Sequence, residues 1–417
     1  MKLLVLFLSV FLLASACTPI TASEYLLQIF GNANMDDTID EQDIDYLKGV
    51  IAGTNPVTNL SDANYDGAID DQDIEQIEKI IGGDETEITL IDSADRIVTV
   101  PMPLERIVVY SSYAIEGLRA IGVDLSDKIV GVYSYIQQNG EYYPQVKDKP
   151  TVGSYKEIDY EKIAELKPQV VLFYTASQPF VSEDKITISG AKVVYLDVYM
   201  PDALESDLGV VGFLFGKEKE MEKVIDWHQQ ISSKIENKIK DLSQDEKPRA
   251  FLYNYPDSYL PDGVFATKNK NSSFHQVFVK AGLINIAADL PEDSPHVEPE
   301  WILEQDPDVI IGKVGAKKEL SGYLAEDSKN LTELREKIRN APGINGTKAA
   351  RENKIFLICT DIDSGIDDIV GISYVAKCLH PDLFGDLDPI ELHREYIEDL
   401  QGLEYKGIWF DPLPSTS

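Results

Sequence analysis

Apolar residues follow two kinds of repeat along most of this chain. From Glu87 onward, short apolar runs alternate with segments in which apolar residues recur every three or four positions. The runs are typical of buried β-strands and the three-to-four repeat of amphipathic helices. Strands that alternate with helices predict a mostly parallel sheet covered by helices, so we expect an α/β protein over this length.

One interruption divides the α/β pattern into two parts. Between residues 201 and 245, apolar residues such as Leu208, Val224 and Ile235 repeat with helical spacing and no strand pattern intervenes. We expect an N-terminal α/β lobe over residues 88–200, a long linker helix over 201–245 and a C-terminal α/β lobe over 246–417. The lobes contain related segments, IDYEKIAELKPQVVLF and VEPEWILEQDPDVIIG, and each predicts a helix, a Pro and a buried strand.

A different repeat precedes the lobes, where two twelve-residue segments place oxygen ligands at the same spacing. They read NANMDDTIDEQD and DANYDGAIDDQD, and each leads into a short amphipathic helix. Asp or Asn at positions 1, 3, 5, 9 and 12, with a carbonyl at position 7, can supply the roughly 6–8 oxygens that Ca²⁺ prefers. We expect two structural calcium sites in a small all-α module over residues 24–84. The expected ligands are Asn32, Asn34, Asp36, Thr38 (carbonyl), Asp40, Asp43, Asp62, Asn64, Asp66, Ala68 (carbonyl), Asp70 and Asp73.

This duplicated loop–helix pattern resembles a dockerin, a calcium-folded module that docks onto cohesin domains. The resemblance implies a cohesin partner. Position 12 is Asp, where an ordinary EF-hand has Glu. Position 6 is Gly67 in the second loop and Asp37 in the first. Because we expect a positive φ at position 6, which Gly tolerates better than Asp, weaker calcium binding is predicted for the first loop.

The first seventeen residues predict export. Met1-Lys2 precede an apolar run through Leu13, and Ala-Ser-Ala-Cys17 follows. This is the pattern of a signal peptide, and a Cys at that point resembles a lipobox, in which Cys17 becomes lipidated. The alternative is ordinary cleavage with Cys17 incidental. Lipidation would place the protein outside the cytoplasm, anchored to the outer face of the cell membrane.

Charge and missing motifs narrow the function classes. The net charge of -34 argues against nucleic acid as a partner. The chain contains no GxSxG, GxxxxGK[ST] or HExxH motif, and its five His residues are scattered. We therefore expect a binding protein and not an enzyme, with an extracellular enzyme tethered through the module as an alternative. Two alternatives stay open for Cys359 and Cys378: a disulfide between them, or two buried thiols.

The order of segments in the lobes resembles one family. Arg106-Ile-Val-Val, Asp127-Lys-Ile-Val-Gly-Val, Val152-Gly-Ser and the two Glu-helix-Pro-strand units resemble substrate-binding proteins of ABC importers for iron-siderophores, haem and vitamin B12. The resemblance implies two lobes joined by a rigid helix, a ligand between them and a membrane permease as partner. It also implies that Glu161 and Glu300 dock against permease arginines. The alternative is that they are helix-start carboxylates favoured by the helix dipole.

Tyrosines are frequent where the predicted strands end. Ligands of open α/β sheets bind beyond the C-terminal ends of strands. A Tyr ring offers a flat apolar face for a ring-bearing chelate, and its phenolate can ligate ferric iron. Few cationic residues occur there, which disfavours a strongly anionic ligand. An iron chelate is expected, with a corrinoid or haem as the alternative. The expected ligand-binding residues are Tyr110, Ser112, Tyr113, Tyr135, Tyr155, Tyr174, Tyr253, Tyr255, Lys313 and Asp361.

Overall fold

The computed structural model describes residues 25–414, so the predicted signal segment and Cys17 lie outside the described residues. At the start of this range, the acidic loops lead into helices α1 (Glu41–Ile51) and α2 (Asp71–Gly82). Asp40 and Asp70 cap the N-termini of these helices by accepting backbone hydrogen bonds. The helices contact each other over a small core formed by Ala33, Leu47, Val50, Ala63 and Ile77.

The first lobe begins with an antiparallel hairpin, β1 (Glu87–Ile91) and β2 (Ile97–Pro101). A four-stranded parallel sheet follows, in the order β4-β3-β5-β6. Its strands are β3 (Ile107–Val109), β4 (Ile129–Val132), β5 (Val170–Phe173) and β6 (Lys192–Tyr195). The helices of this lobe are α3 (Ser112–Ala120), α4 (Leu125–Lys128), α5 (Ser134–Gln138), α6 (Tyr160–Leu166) and α7 (Glu183–Thr187).

Two helices connect the lobes. They are α8 (Leu204–Leu214) and α9 (Glu218–Ile239), and they pack against each other. Gly216 has φ 59°, a left-handed conformation that ends α8 at little cost for a Gly. Most of α8 is buried, whereas α9 is 22 residues long and exposes one face. The predicted single helix over 201–245 is therefore a buried helix followed by a longer amphipathic one.

The second lobe contains a five-stranded sheet in the order β13-β12-β11-β7-β9, parallel except for β13. Its strands are β7 (Arg249–Asn254), β9 (Ile284–Asn285), β11 (Val309–Val314), β12 (Ile355–Cys359) and β13 (Phe410–Asp411), and β8 (Phe265–Ala266) pairs separately with β10 (His296–Val297). The helices are α10 (Pro256–Tyr259), α11 (Ser273–Lys280), α12 (Pro299–Gln305), α13 (Lys329–Arg339), α14 (Lys348–Arg351), α15 (Asp368–Leu379) and α16 (Pro389–Glu395). The predicted α/β fold with two lobes is confirmed.

The related segments of the two lobes fold alike. Helices α6 and α12 both end at a left-handed residue, Lys167 with φ 47° and Asp306 with φ 40°. In each lobe an Arg just before or at the start of the first sheet strand binds the end of that helix. Arg106 Nε donates to the Lys167 carbonyl at 3.2 Å, and Arg249 Nη1 donates to the Gln305 carbonyl at 2.7 Å. The lobes therefore repeat one helix–turn–strand unit with the same cationic C-terminal contact.

The N-terminal module shares its packing with the first lobe. Ile29 forms an antiparallel bridge with β1, and Leu27, Ile29 and Ile80 are buried in the same hydrophobic core as that lobe. The Tyr25 ring lies so close to Gly209 of α8 that an added Cβ would be 2.7 Å from its Cε2 atom. The module is therefore joined to the body by apolar burial as well as by the chain.

The structure decides between the two alternatives for the cysteines. Cys359 and Cys378 are free thiols, and Cys359 is fully buried at the end of β12. Between residues 25 and 414, no helix is both long and apolar enough to cross a bilayer.

Candidate functional site

A cavity of about 350 Å³ lies between the lobes, where the C-terminal ends of the two sheets face each other. Most of its wall comes from the first lobe, and the second lobe contributes the segments after β7 and β12. Seven tyrosines dominate the lining. The lining residues are Ser112, Tyr113, Glu116, Tyr133, Ser134, Tyr135, Gln138, Tyr143, Ser154, Tyr155, Tyr174, Tyr255, Thr360 and Asp361.

The structure brings together most of the residues expected from strand ends. Seven of the ten line the cavity: Ser112, Tyr113, Tyr135, Tyr155, Tyr174, Tyr255 and Asp361. Their convergence follows from the parallel sheets, because the C-terminal ends of parallel strands meet at one edge. The predicted role of these residues in ligand binding stays a prediction.

Tyr110 and Tyr253 are outside the cavity and fully buried. The Tyr110 ring stacks on Phe173 with centroids 4.4 Å apart, and the Tyr253 hydroxyl donates to the Val264 carbonyl at 2.7 Å. Side chains along a strand alternate between faces, so a Tyr next to a strand end can point under the helices instead of over the edge. Both belong to the cores of their lobes.

Lys313 lies near the cavity but not in its lining. Its Nζ atom is 2.8 Å from Asp363 Oδ2 and lies 5.7 Å from the Tyr255 ring centroid. Burial lowers the pKa of Lys313, but the ion pair with Asp363 outweighs this and raises it above its ordinary value. The ammonium is therefore charged and neutralised locally by a carboxylate.

Seven lining residues are not among the ten expected. Tyr133, Ser134 and Thr360 directly follow sheet strands and Ser154 adjoins the expected Tyr155, whereas the strand-end rule does not reach Glu116, Gln138 and Tyr143. Glu116 follows Ser112 by one turn of α3, and Gln138 follows Tyr135 by three residues on α5, so helical spacing from a strand-end residue is the signal that would have found both. Tyr143 lies in a turn, and no local pattern marks it. Among residues 25–414, no histidine lines the cavity, and His393 is buried elsewhere among aromatic rings.

Two tyrosine–carboxylate hydrogen bonds connect the lobes at the cavity, and they run in opposite directions. The Tyr135 hydroxyl of the first lobe donates to Asp361 Oδ1 of the second at 2.7 Å. Glu116 of the first lobe accepts from the Tyr396 hydroxyl of the second at 2.6 Å, and from Tyr143 at 2.8 Å. Each lobe therefore supplies one carboxylate to a phenol of the other lobe, the buried Glu116 and the partly buried Asp361.

Burial shifts the ionisation of these groups. It raises the pKa of Asp361 to about 7 and raises the pKa of Glu116, although nearby Arg119 opposes the shift at Glu116. Burial also raises the pKa of the Tyr113 and Tyr135 phenols well above 10. The phenols are hydrogen-bond donors at neutral pH, and Asp361 can gain or lose a proton near that pH.

A close approach between the lobes depends on Gly365. This residue has φ 89°, and an added Cβ would be 2.7 Å from the Cδ1 atom of Tyr113. Only Gly combines this backbone conformation with room for the ring. Gly365 thus positions Tyr113 against the second lobe.

The two acidic loops have the same hydrogen-bonding pattern. Asp43 accepts from the backbone N–H groups of Asn34 and Asp40 at 3.0 and 2.9 Å. The equivalent Asp73 accepts from Asn64 and Asp70 at 3.1 and 2.9 Å. Both carboxylates are fully buried. The duplicated sequence therefore forms two equivalent turns closed by the carboxylate at position 12.

The sequence predicts a positive φ at position 6 of both loops, and this prediction is wrong for Asp37. Gly67 has φ 89°, but Asp37 is not among the left-handed residues of the described chain. The left-handed residue common to both loops is at position 4, Met35 with φ 62° and Tyr65 with φ 53°. The physical argument for weaker calcium binding by the first loop therefore does not hold.

The donor set of the loops suits a hard cation. Burial, followed by the nearby carboxylates of Asp36 and Asp40, raises the pKa of Asp43 to about 6. A divalent cation would relieve this repulsion. Asp40 and Asp70 act as helix caps, and across residues 25–414 no three acidic, His or Cys side chains form a ready-made metal cluster. Asn oxygens and backbone carbonyls would have to complete each site.

Glu161 and Glu300 occupy equivalent surface positions. Each is exposed in the first turn of its helix, α6 in the first lobe and α12 in the second. Neither lines the cavity.

A family model described as "Periplasmic binding protein" matches residues 107–361, which is more than half of the chain. The chain therefore belongs to the periplasmic binding protein family, whose members serve ABC transporters as substrate-binding components.

Named relatives place the chain among importer components with different ligands. An uncharacterized ABC transporter substrate-binding lipoprotein, YvrC of Bacillus subtilis, is 24% identical over 302 residues, covering 71% of this chain and 87% of the relative. The vitamin B12-binding protein of Vibrio cholerae is 26% identical over 216 residues, covering 52% and 72%. Other relatives are named for binding molybdate and petrobactin.

A solved structure shares the fold. The TroA-like periplasmic binding protein FepB of Veillonella parvula superposes with a TM-score of 0.66 at 20% identity, covering 77% of this chain and 98% of that one.

Proposed function

We propose that this protein captures a compact iron chelate of the siderophore type between its lobes and delivers it to an ABC importer. The observation that carries the proposal is the cavity lined by seven tyrosines at the ends of both sheets. Tyr rings present apolar faces for stacking and hydroxyls for hydrogen bonding, which suits a chelate with both apolar and polar surface.

The state of the phenols supports a preformed chelate over bare ferric iron. Burial raises the pKa of the Tyr113 and Tyr135 phenols well above 10, so phenolate ligands would be costly to form. The cavity volume of about 350 Å³ is near the lower end of the roughly 300–1,000 Å³ range of small-ligand pockets. This favours a compact chelate over a corrinoid or haem, which remain the alternative ligands.

Titration of the purified protein with ferric siderophores, cobalamins and haem, followed by intrinsic fluorescence, tests the ligand class. We expect micromolar or tighter binding of a ferric siderophore. Tyr135→Ala should weaken it by about 1–3 kcal/mol, because the variant removes both a cavity ring and the hydroxyl bound to Asp361. Leu383→Ala, an exposed change outside the cavity, is the control. Binding of none of these compounds would contradict the proposal.

Glu161 and Glu300 form the proposed permease contacts. Their exposure, one on each lobe in equivalent helices, supports a partner that spans both lobes.

The chain is also proposed to be exported and anchored outside the membrane through Cys17, a proposal that the sequence pattern of the first seventeen residues supports. Transport by cells that carry Cys17→Ser, compared with release of the protein into the medium, tests the anchor.

The acidic loops are the proposed calcium sites. Equivalent hydrogen bonds at Asp43 and Asp73, and the repulsion that raises the pKa of Asp43, support two structural Ca²⁺ ions. Exposed apolar residues Ile51 and Ile81 at the ends of α1 and α2 support a docking face for a cohesin domain. Calorimetry with Ca²⁺, followed by binding to immobilised cohesins with calcium or chelator, separates the two proposals.

A further inference from the structure

The charged groups around the cavity are unbalanced. Two carboxylates, Glu116 and Asp361, are part of the lining, and none of the described residues that line it is Lys, Arg or His. The other lining residues are tyrosines and small polar side chains. A ligand in this cavity therefore meets acidic groups and the electron-rich faces of rings, both of which attract positive charge.

The cations near the cavity do not belong to its lining, and the exposed Lys156 lies 5.2 Å from the Tyr155 ring centroid. Lys313 pairs with Asp363 at 2.8 Å. Arg119 is 7% exposed, donates from Nε to Gln401 Oε1 at 2.6 Å and lies 4.8 Å from the Tyr142 ring centroid. Arg119 Nη2 has no hydrogen-bond partner among the described residues, but neither Arg119 nor Lys313 lines the cavity, so its wall offers an anionic ligand no direct cationic partner.

Further carboxylates lie close to the two that line the cavity. Asp367 is buried, and Glu116 and Asp361 both act electrostatically on it. Neither oxygen of Asp367 accepts a hydrogen bond from another residue of the described chain. Asp363 adds a carboxylate beside Asp361, offset by Lys313. The acidic groups exceed the cations even when Lys313 and Arg119 are counted.

We propose that the cleft selects a ligand that carries positive charge, such as a cationic metal chelate, and discriminates against oxyanions and polyanionic chelates. This inference rests on the proposed function and specifies its ligand class. The tyrosine rings would hold the cationic part by cation–π contact, and Glu116 and Asp361 would supply the counter-charge. Specificity then comes partly from the cost of placing negative charge beside these two carboxylates.

A cationic ligand favours the ionised carboxylates, so its binding releases protons. Because burial raises the pKa of Asp361 to about 7, affinity for a cation should increase as pH rises through about 7. The groups that face Asp361 are Tyr135, Glu116, Asp363 and Lys313. Those that face Glu116 are Arg119, Tyr142, Tyr143 and Tyr396, and Asp367 interacts with both carboxylates. A neutral ligand would show little pH dependence, and an anionic one the reverse.

A matched pair of probes isolates charge from shape. Ferrioxamine B carries a pendant ammonium, and its N-acetyl derivative has the same iron centre without that charge. Calorimetric titration of both against the full chain should give about 10-fold or tighter binding for ferrioxamine B, the size expected of a partly desolvated cation–π and carboxylate contact. Molybdate and a ferric tris-catecholate complete the series as anions, and we expect neither to bind detectably.

Substitution then tests the carboxylates. Glu116→Gln/Asp361→Asn keeps one oxygen acceptor at each position. In this variant the affinity ratio of the two probes should fall to about 1 and the pH dependence should disappear. Asp202→Asn/Glu292→Gln removes two exposed charges away from the cavity and should keep the ratio. Thermal unfolding confirms that both variants are folded.

The outcomes separate the two proposals. Equal affinity of wild type for both ferrioxamines, or tighter binding of an anion, would overturn the charge selection and leave chelate capture intact. Failure of every ferric chelate to bind would overturn the iron-chelate function and the charge selection that rests on it.

Discussion

The N-terminal module and the two-lobed body are stabilised by different interactions. The module has five buried apolar residues in its own core, and its loops are shaped by side-chain hydrogen bonds to the backbone. The body buries two sheets under helices, and its cores are made largely of Val, Ile, Leu and aromatic residues. So small an apolar core is a weak source of stability. The module therefore depends on its polar loops and on its contact with the body.

The contact with the body should have the largest effect on the module. Ile29 is fully buried in the core shared with the first lobe, so Ile29→Ala should cost about 2–5 kcal/mol through lost contacts and an unfilled cavity. Urea unfolding of the full chain and protease sensitivity of residues 25–84 measure it. Ile51→Ala, at a position 42% exposed, is the control and should cost less than about 0.5 kcal/mol. A small cost at Ile29 would show that the module folds independently.

Removal of a loop carboxylate should have the second-largest effect on the module. Asp73→Ala removes the acceptor for the backbone N–H groups of Asn64 and Asp70, and we expect a loss of about 2–3 kcal/mol together with loss of calcium binding in that loop. Calcium-dependent thermal unfolding and hydrogen exchange of α2 measure these effects. Asp71→Ala, an exposed change on the same helix, should leave calcium binding in place. Unaltered calcium affinity in Asp73→Ala would argue against the loop as the site.

Acid should affect the calcium-free module in the direction opposite to ordinary acid unfolding. The pKa of Asp43 is raised from its usual 3.8 to about 6, so the protonated form is favoured in the folded state. The stabilisation that the folded module gains from protonated Asp43 is fully present below about pH 3.8 and is lost as the pH rises through about 6. In the presence of chelator, the free energy of unfolding of the module should increase by on the order of 1–3 kcal/mol when the pH is lowered from 7 to 4. Hydrogen exchange of α1 at several pH values measures this.

Asp43→Asn is the control for that experiment, since it removes the titrating group. Saturating calcium should reverse the trend, because protons then compete with the ion for the carboxylate. If the stability of the module in chelator falls steadily as the pH is lowered, Asp43 is not the group that controls its acid response.

The smallest stability effect is expected on the surface of the body. Glu161→Ala and Glu300→Ala should each change the free energy of unfolding by less than about 0.5 kcal/mol, because both side chains are exposed. Ligand affinity should also stay the same, since neither residue lines the cavity. Uptake by cells that contain the permease should fall, and Glu304→Ala on α12 provides an exposed control. Normal uptake in the double variant would rule out the proposed contacts.

Much of the body could be predicted from the chain because its signals are local. The Arg, helix, Pro and strand of each lobe occur in the same order, and the contacts of Arg106 and Arg249 with the ends of their helices follow from that order. The cavity was located because parallel strands share one C-terminal edge. The strand-end rule could not tell Tyr113 from Tyr110, since the face that a side chain occupies depends on packing around it.

The sequence by itself determined the α/β lobes, the duplicated acidic loops and the strand-end tyrosines, because periodicity, ligand spacing and strand ends are properties of neighbouring residues. Only the tertiary structure decided that Tyr396 donates to Glu116 from 280 residues away. It also decided that Ile29 packs into the first lobe and that α8 and α9 are separate helices. These contacts join distant segments, and burial and charge at such contacts depend on the whole fold rather than on any local pattern.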